Sequence, residues 1–202
     1  ARAEAVNAHE KENPLVSQST PSFSQASGVL YFGTAYGRLW AYDTKRDHLS
    51  GLDLEIGCPI VGSPLIAHAY GKEFVIVADR PDFPGEKHEG RPPCPRSQGR
   101  VWLIWNMDDP NATPRKVYYD GQDFGGFITP SAIPGPPDDS GHPTLLIGAD
   151  GYNGGRAMKF SIEPDGAGGF ELVSLWHKQG TAGFAGNFVS DGKYAYWLDT
   201  AG

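Results

Sequence analysis

The sequence predicts an all-β fold assembled from repeated four-stranded antiparallel units, and three observations carry that prediction. One short pattern occurs three times, as Gly37-Arg38-Leu39-Trp40, Gly99-Arg100-Val101-Trp102 and Gly155-Arg156-Ala157-Met158. A β-rich run precedes each copy: Val29-Leu30-Tyr31-Phe32-Gly33, Phe74-Val75-Ile76-Val77-Ala78 and Leu145-Leu146-Ile147-Gly148-Ala149. Each copy reads as strand, glycine-bearing loop and strand, and the recurrence marks a repeat architecture. Composition agrees, because 27 glycines, 17 prolines and 12% aromatic residues in 202 suit many short strands joined by tight turns.

A second recurring element opens each unit: Ser19-Thr20-Pro21, Gly62-Ser63-Pro64, Ile128-Thr129-Pro130 and the variant Gly186-Asn187-Phe188. Proline is tolerated at the first residue of a strand, where its missing N–H does not break the ladder, so these are natural starts for an innermost strand. The first unit then runs through strands at 22–25, 29–33, 38–43 and about 52–56. The second uses 63–67, 73–78, 101–106 and 115–119, and the third 129–133, 144–149, 156–162 and 170–177. Each is a four-stranded antiparallel meander, the blade of a β-propeller. Unit starts lie about 43, 66 and 57 residues apart, near a blade repeat of roughly 40–50 once insertions are removed. The layout is a polar arm or linker over 1–18, blades at 19–57, 62–121 and 128–180, an incomplete blade at 186–202, and a loop insertion at 79–98. About three and a half blades are expected in this chain, the others being supplied by another chain or by self-association.

The run Val29-Leu30-Tyr31-Phe32-Gly33-Thr34-Ala35-Tyr36-Gly37-Arg38-Leu39-Trp40-Ala41-Tyr42-Asp43-Thr44 resembles the repeat of the pyrroloquinoline-quinone-like propellers. That repeat has a Ser-Pro inner strand, an apolar strand ending in Gly, and then Gly-x-hydrophobic-x-Ala-x-Asp. Tyr194-Ala195-Tyr196-Trp197-Leu198-Asp199-Thr200-Ala201-Gly202 is similar to the same element, while the second and third units lack the Ala-x-Asp ending. The resemblance spans residues 19–202 and implies a fold ahead of a function. For the quinone-dependent enzymes of the family it also implies pyrroloquinoline quinone with calcium, adjacent cysteines, a tryptophan floor and a Glu/Asn/Asp calcium set. No adjacent cysteine pair occurs in this sequence, and no residue carries over to the cofactor role. Two functional classes follow. The first is a non-catalytic propeller that recognises a protein or carbohydrate partner; the alternative is part of a quinone-dependent dehydrogenase acting on an alcohol or sugar.

A net charge of −7 with no Lys/Arg block gives no electrostatic footprint for nucleic acid or anionic lipid. The longest apolar run, Phe74 to Ala78, is too short to span a bilayer, and the first residues lack the apolar core of a leader, which the reading takes as already removed.

In a blade, the loops from strand two to strand three, and from strand four to the next blade, share one face of the disc. Candidate binding residues there are Asp79, Arg80, Asp82, His88, Asp123, Asp150, Tyr152 and Asn153. The carboxylates suit either a calcium site or ordinary turn chemistry, and His88 reads as a solvated loop residue, a ligand or a base. Asp79 with Asp150 is the acid pair that a hydrolase or lyase reading would need. The repeated Arg38, Arg100 and Arg156 either ring an anion site or brace neighbouring blades through carbonyls. Cys58 lies in the connection between the first two units and Cys94 in the insertion, on the same face. They are either free thiols of a reducing compartment or a disulfide of a periplasmic or extracellular protein, closing a loop of ~37 residues and adding roughly 3–4 kcal/mol.

Overall fold

The structure is a computed structural model and describes residues 19–49, 54–82, 93–109, 111–120, 126–127, 131–151, 155–179 and 188–196. These residues form four antiparallel sheets and no helix. The first sheet runs β1 (Ser22–Phe23), β2 (Val29–Gly33), β3 (Arg38–Asp43) and β4 (His48–Leu49), with β5 (Leu54–Glu55) pairing the other end of β3. In the second sheet, β6 (Leu65–Ala69), β7 (Lys72–Asp79), β8 (Arg100–Trp105) and β9 (Arg115–Asp120) lie in chain order. β10 (Gly126–Phe127) and β11 (Ile133–Gly135) both pair β12 (Thr144–Gly151) in the third sheet, which continues through β13 (Arg156–Pro164) and β14 (Phe170–Gln179). The fourth is the hairpin of β15 (Val189–Ser190) and β16 (Ala195–Tyr196).

Period-two alternation explains how the sheets pack. Phe74, Ile76 and Ala78 of β7, with Val101, Leu103 and Trp105 of β8, face Leu145, Ile147, Met158 and Phe160 of the third sheet. The alternate residues Val75, Val77, Trp102 and Ile104 face Val29, Tyr31, Leu39 and Ala41 of the first. The second sheet is therefore buried on both sides, which is why β7 and β8 read as continuous apolar runs. Leu146 and Ala157, on the far side of the third sheet, pack against Phe188 of the segment leading into the hairpin. The four sheets are thus stacked face to face in chain order.

Two predicted strands appear in pieces. The outer strand expected near 52–56 is replaced by β4 and β5, which share the edge of β3 at its two ends. The inner strand expected at 129–133 is replaced by β10 and β11, both on β12. Pro134 in β11 has no N–H to give, which suits the edge position that β11 holds. Pro21 and Pro64 stand directly before β1 and β6, the places where a strand tolerates proline. β13 and β14 carry a bulge between Lys159 and Phe160 that no local sequence signal announces.

Candidate functional site

β7 presents four residues to the first sheet: Glu73, Val75, Val77 and Asp79. The two valines fill the core between the sheets, and a buried acid stands at each end of them. At the far end Asp79 is 0% exposed and has three donors. Its Oδ2 accepts from Arg96 Nη2 at 2.5 Å and from Trp102 Nε1 at 2.6 Å, and its Oδ1 accepts from the backbone N–H of Arg100 at 2.9 Å. Burial nonetheless wins, and it pushes the Asp79 carboxyl up to about 6 against the opposing pull of Arg96, Trp102 and the Arg100 amide.

Around this acid the connection between the first two sheets is fastened on several sides. Ile60 bridges Asp79, and the Arg80 amide donates to Pro59 O at 3.0 Å. The amides of Ile56 and Gly57 both donate to Gly37 O. A disulfide joins Cys58 to Cys94 with their Cα atoms 4.8 Å apart, and Asp82 Oδ2 accepts from the Cys94 amide at 2.6 Å. The bridge ties the connection to the segment that carries Arg96, so the guanidinium is delivered to Asp79 from a covalently braced backbone.

Above the acid lies a cationic and aromatic rim. The Arg100 guanidinium sits 3.9 Å over the Tyr118 ring and 5.8 Å from Trp102, and it pairs with Asp120 at 3.2 Å. Arg96 lies 5.8 Å from the Trp102 ring and the Lys116 ammonium 5.2 Å from it. Lys116 donates to Glu55 O at 2.5 Å, and burial lowers its pKa. A cleft of about 250 Å³ opens beside this rim, between Arg96, Ser97, Gln98, Arg100 and Asp120. The Nε atoms of Arg96 and Arg100 are buried with no hydrogen-bond acceptor, and their terminal nitrogens engage Asp79 and Asp120.

Of the predicted face residues, the structure therefore brings together Asp79, Arg80 and Asp82 with Cys58 and Cys94. Arg80 is buried, and its Nη1 donates to Pro81 O at 3.3 Å. Asp150 stands near the end of β12, where it pairs Phe127. His88, Asp123, Tyr152 and Asn153 lie outside the described residues. Arg100 braces its own sheet, through Asp120 and Tyr118. Cations that reach carbonyls of neighbouring sheets include Lys116, to Glu55 O, and Arg115, to Gly168 O at 3.1 Å. Both stand on β9, the solvent-side edge of the second sheet.

Glu73, the other buried acid, was not visible as a site from sequence. It accepts from Ser24 Oγ, from Ser27 Oγ at 3.1 Å and from Tyr31 OH at 2.6 Å, and it meets His68 Nε2 at 3.0 Å. Three of these partners belong to the first sheet or its β1–β2 turn, so the carboxylate bolts two sheets together. Burial, followed by the bond to and charge of Glu73, holds the Tyr31 phenol above its ordinary pKa. A cleft of about 430 Å³ lies beside it, lined by small residues such as Ala69 and Gly71 and by the ionisable His68, Lys72, Glu73 and Asp108. The signal for this acid was its phase with Val75 and Val77.

The quinone that the family resemblance implies does not fit the residues described. Cys58 and Cys94 are 36 residues apart in sequence, unlike the adjacent pair of that cofactor's site. Trp102 is 5% exposed and committed to Asp79, so it offers no open floor to a planar ring. Asp79 is already engaged by Arg96, Trp102 and Arg100, and Asp82 by the Cys94 amide. Compared with family models, with curated proteins and with solved structures, the chain matches none.

Proposed function

We propose that the chain is part of a β-propeller of the quinoprotein-like repeat type and works as a non-catalytic binding module. The propeller reading draws support from the meander order of the sheets and from the contacts of their innermost strands. β1 touches β6, β6 touches β11, and β11 touches β15. Ser22 Oγ donates to Pro64 O at 2.6 Å, and the Ser63 amide to Ser131 Oγ at 2.7 Å, so the Ser-Pro starts knit neighbouring inner edges. The outward side of the hairpin, with Val189, Tyr194 and Tyr196 exposed, suits a further sheet from the same polypeptide or a second copy.

The observation that carries the binding reading is the braced rim of Arg96, Arg100, Lys116 and Tyr118 over a buried, fully engaged Asp79. A general acid or base must reach its substrate, and Asp79 instead spends its lone pairs holding Arg96 and Trp102. Rigid arginines beside an aromatic surface are the usual anchor of a protein interface. At this rim a protein partner that presents carboxylates is favoured over a carbohydrate, because Trp102 is buried and the Arg100 guanidinium covers the Tyr118 ring, while the exposed Trp176 stands on β14 of another sheet. The disulfide fits a periplasmic or extracellular setting.

Titrating the isotope-labelled chain with an Asp/Glu-rich peptide, and separately with a uronic-acid oligosaccharide, tests the assignment. The peptide is expected to shift the Trp102 indole N–H and the amides around Arg96 and Arg100, and an Arg96→Ala/Arg100→Ala variant to lose that response. Equal binding by the double variant rejects the rim as the anchor, and a response to the oligosaccharide alone replaces the protein partner with a sugar.

A further inference from the structure

At the end of the sheets opposite the disulfide, three side chains of metal-ligand type converge. Asp138 and His142 belong to the tight loop between β11 and β12, and Glu163 is the penultimate residue of β13. His142 Nδ1 lies 3.0 Å from Asp138 Oδ2 and 3.7 Å from Glu163 Oε1, and one ligand atom from each residue falls within 4.8 Å of the other two. We propose that Asp138, His142 and Glu163 form a binding site for a divalent transition ion of the zinc class, with three protein ligands and an open coordination position. The site is independent of the partner-binding face.

Donor spacing is the first argument. Two ligands on a tetrahedral zinc ion, each bonded at about 2.0–2.1 Å, stand about 3.3 Å apart. The two imidazole–carboxylate separations fall on either side of that value, so an ion entering the cluster needs the side chains to shift by only a few tenths of an ångström along those pairs. The three ligand atoms all lie within 4.8 Å of one another, and Glu163 Oε1 also accepts from the Ser161 hydroxyl.

The backbone around the cluster is also set before any ion arrives. Asp138 Oδ1 accepts from the amides of Ser140 at 2.9 Å and His142 at 2.8 Å, which leaves Oδ2 turned to the imidazole. The amide of Ile162 donates to Pro143 O at 2.9 Å, locking the strand that carries Glu163 to the loop that carries His142. The hydroxyl of Ser161, itself 0% exposed, donates to the Glu163 carboxylate. Tyr70 arrives from the β6–β7 hairpin and donates to Ile162 O at 2.9 Å, so the second sheet buttresses the same strand end.

Ligand chemistry selects the ion. Calcium and magnesium take oxygen ligands, whereas one imidazole with two carboxylates suits zinc or its first-row neighbours. With side-chain exposures of 30% for His142, 13% for Asp138 and 27% for Glu163, the cluster is sheltered yet reachable by water, as an open fourth position requires.

The test is calorimetric titration of the chelator-stripped full chain with zinc chloride and, in parallel, calcium chloride. One equivalent of zinc is expected to bind, with calcium failing to compete. His142→Ala and Glu163→Gln are each expected to weaken zinc by roughly tenfold or more, at least the loss that removing a supporting outer-shell group causes. His68→Ala and His177→Ala, tested as controls elsewhere on the surface, are expected to leave the isotherm unchanged. A tetrahedral visible spectrum with cobalt, lost in Glu163→Gln, reports the same geometry without relying on stability. Zinc binding that survives both ligand substitutions, or no binding by a folded wild-type chain, overturns the site.

Discussion

Asp79 shows what a buried carboxyl does to the pH dependence of folding. Its folded pKa stands at about 6, above the ordinary value of 3.8, so the native state holds a proton that the unfolded chain has released between these limits. The stabilisation linked to that proton is full below about pH 4 and lost as pH rises through 6, a change of about 3 kcal/mol for about two units. Urea unfolding of the wild type is expected to show this decline, and Asp79→Asn is expected to flatten it. A decline that persists in the variant assigns the proton to another group. At the opposite end of the same strand, Tyr31→Phe removes one donor from the buried Glu73 carboxylate and is expected to cost about 1–3 kcal/mol, read from the urea midpoint. Both acids sit in phase with valines that face a core, which is the one local sign they carry. Apart from His68, five residues from Glu73, their side-chain partners lie 17 to 49 residues away, beyond any local window of sequence.

Among the elements, the inner strands with long apolar runs were the legible ones. β2, β3, β7, β8, β12 and β13 follow the predicted limits closely, because each is an apolar run closed by glycine or by a polar turn. One outer strand follows less well. The exception is the first sheet, where β4 and β5 divide an edge that has only one side to satisfy; β9 and β14 fall where they were expected. The connection after β5 is held by geometry that sequence shows only as a repeated glycine. Gly37 has φ +73, and a Cβ there would stand 2.6 Å from the Cys58 amide nitrogen. Gly37→Ala is therefore expected to lose at least the roughly 1–3 kcal/mol of a strained left-handed residue, with the contact adding to it. A midpoint equal to that of the wild type would mean that the connection is not seated on Gly37.

At the scale of the whole molecule, the disulfide and the Arg96–Asp79 pair fasten the place where the first two sheets meet. The disulfide closes a loop whose ends are 36 residues apart, so its reduction is expected to lower stability by roughly 3–4 kcal/mol through the entropy regained by the unfolded chain. Reduction also frees the backbone that delivers Arg96, and the fluorescence of Trp102, whose indole shares Asp79 with that arginine, is expected to change in parallel. An unchanged midpoint and unchanged fluorescence with reductant would show that the hydrogen bonds of Ile60, Arg80 and Gly57 hold the junction alone. The cysteines and Asp79 were legible because loop topology places them on one face. Arg96 and Lys116 were not, since nothing local separates them from the other solvent-facing cations.

The second sheet has a different consequence for how this protein changes over time. From Glu73 to Asp79, and from Val101 to Trp105, every side chain meets one core or the other. A sheet with one wet side records its history as alternating stripes, every other position drifting freely. Here a saturation-mutagenesis map is expected to show two unbroken bands of intolerance, so that variation accumulates in the outer strands and loops while the central ladder stays nearly constant.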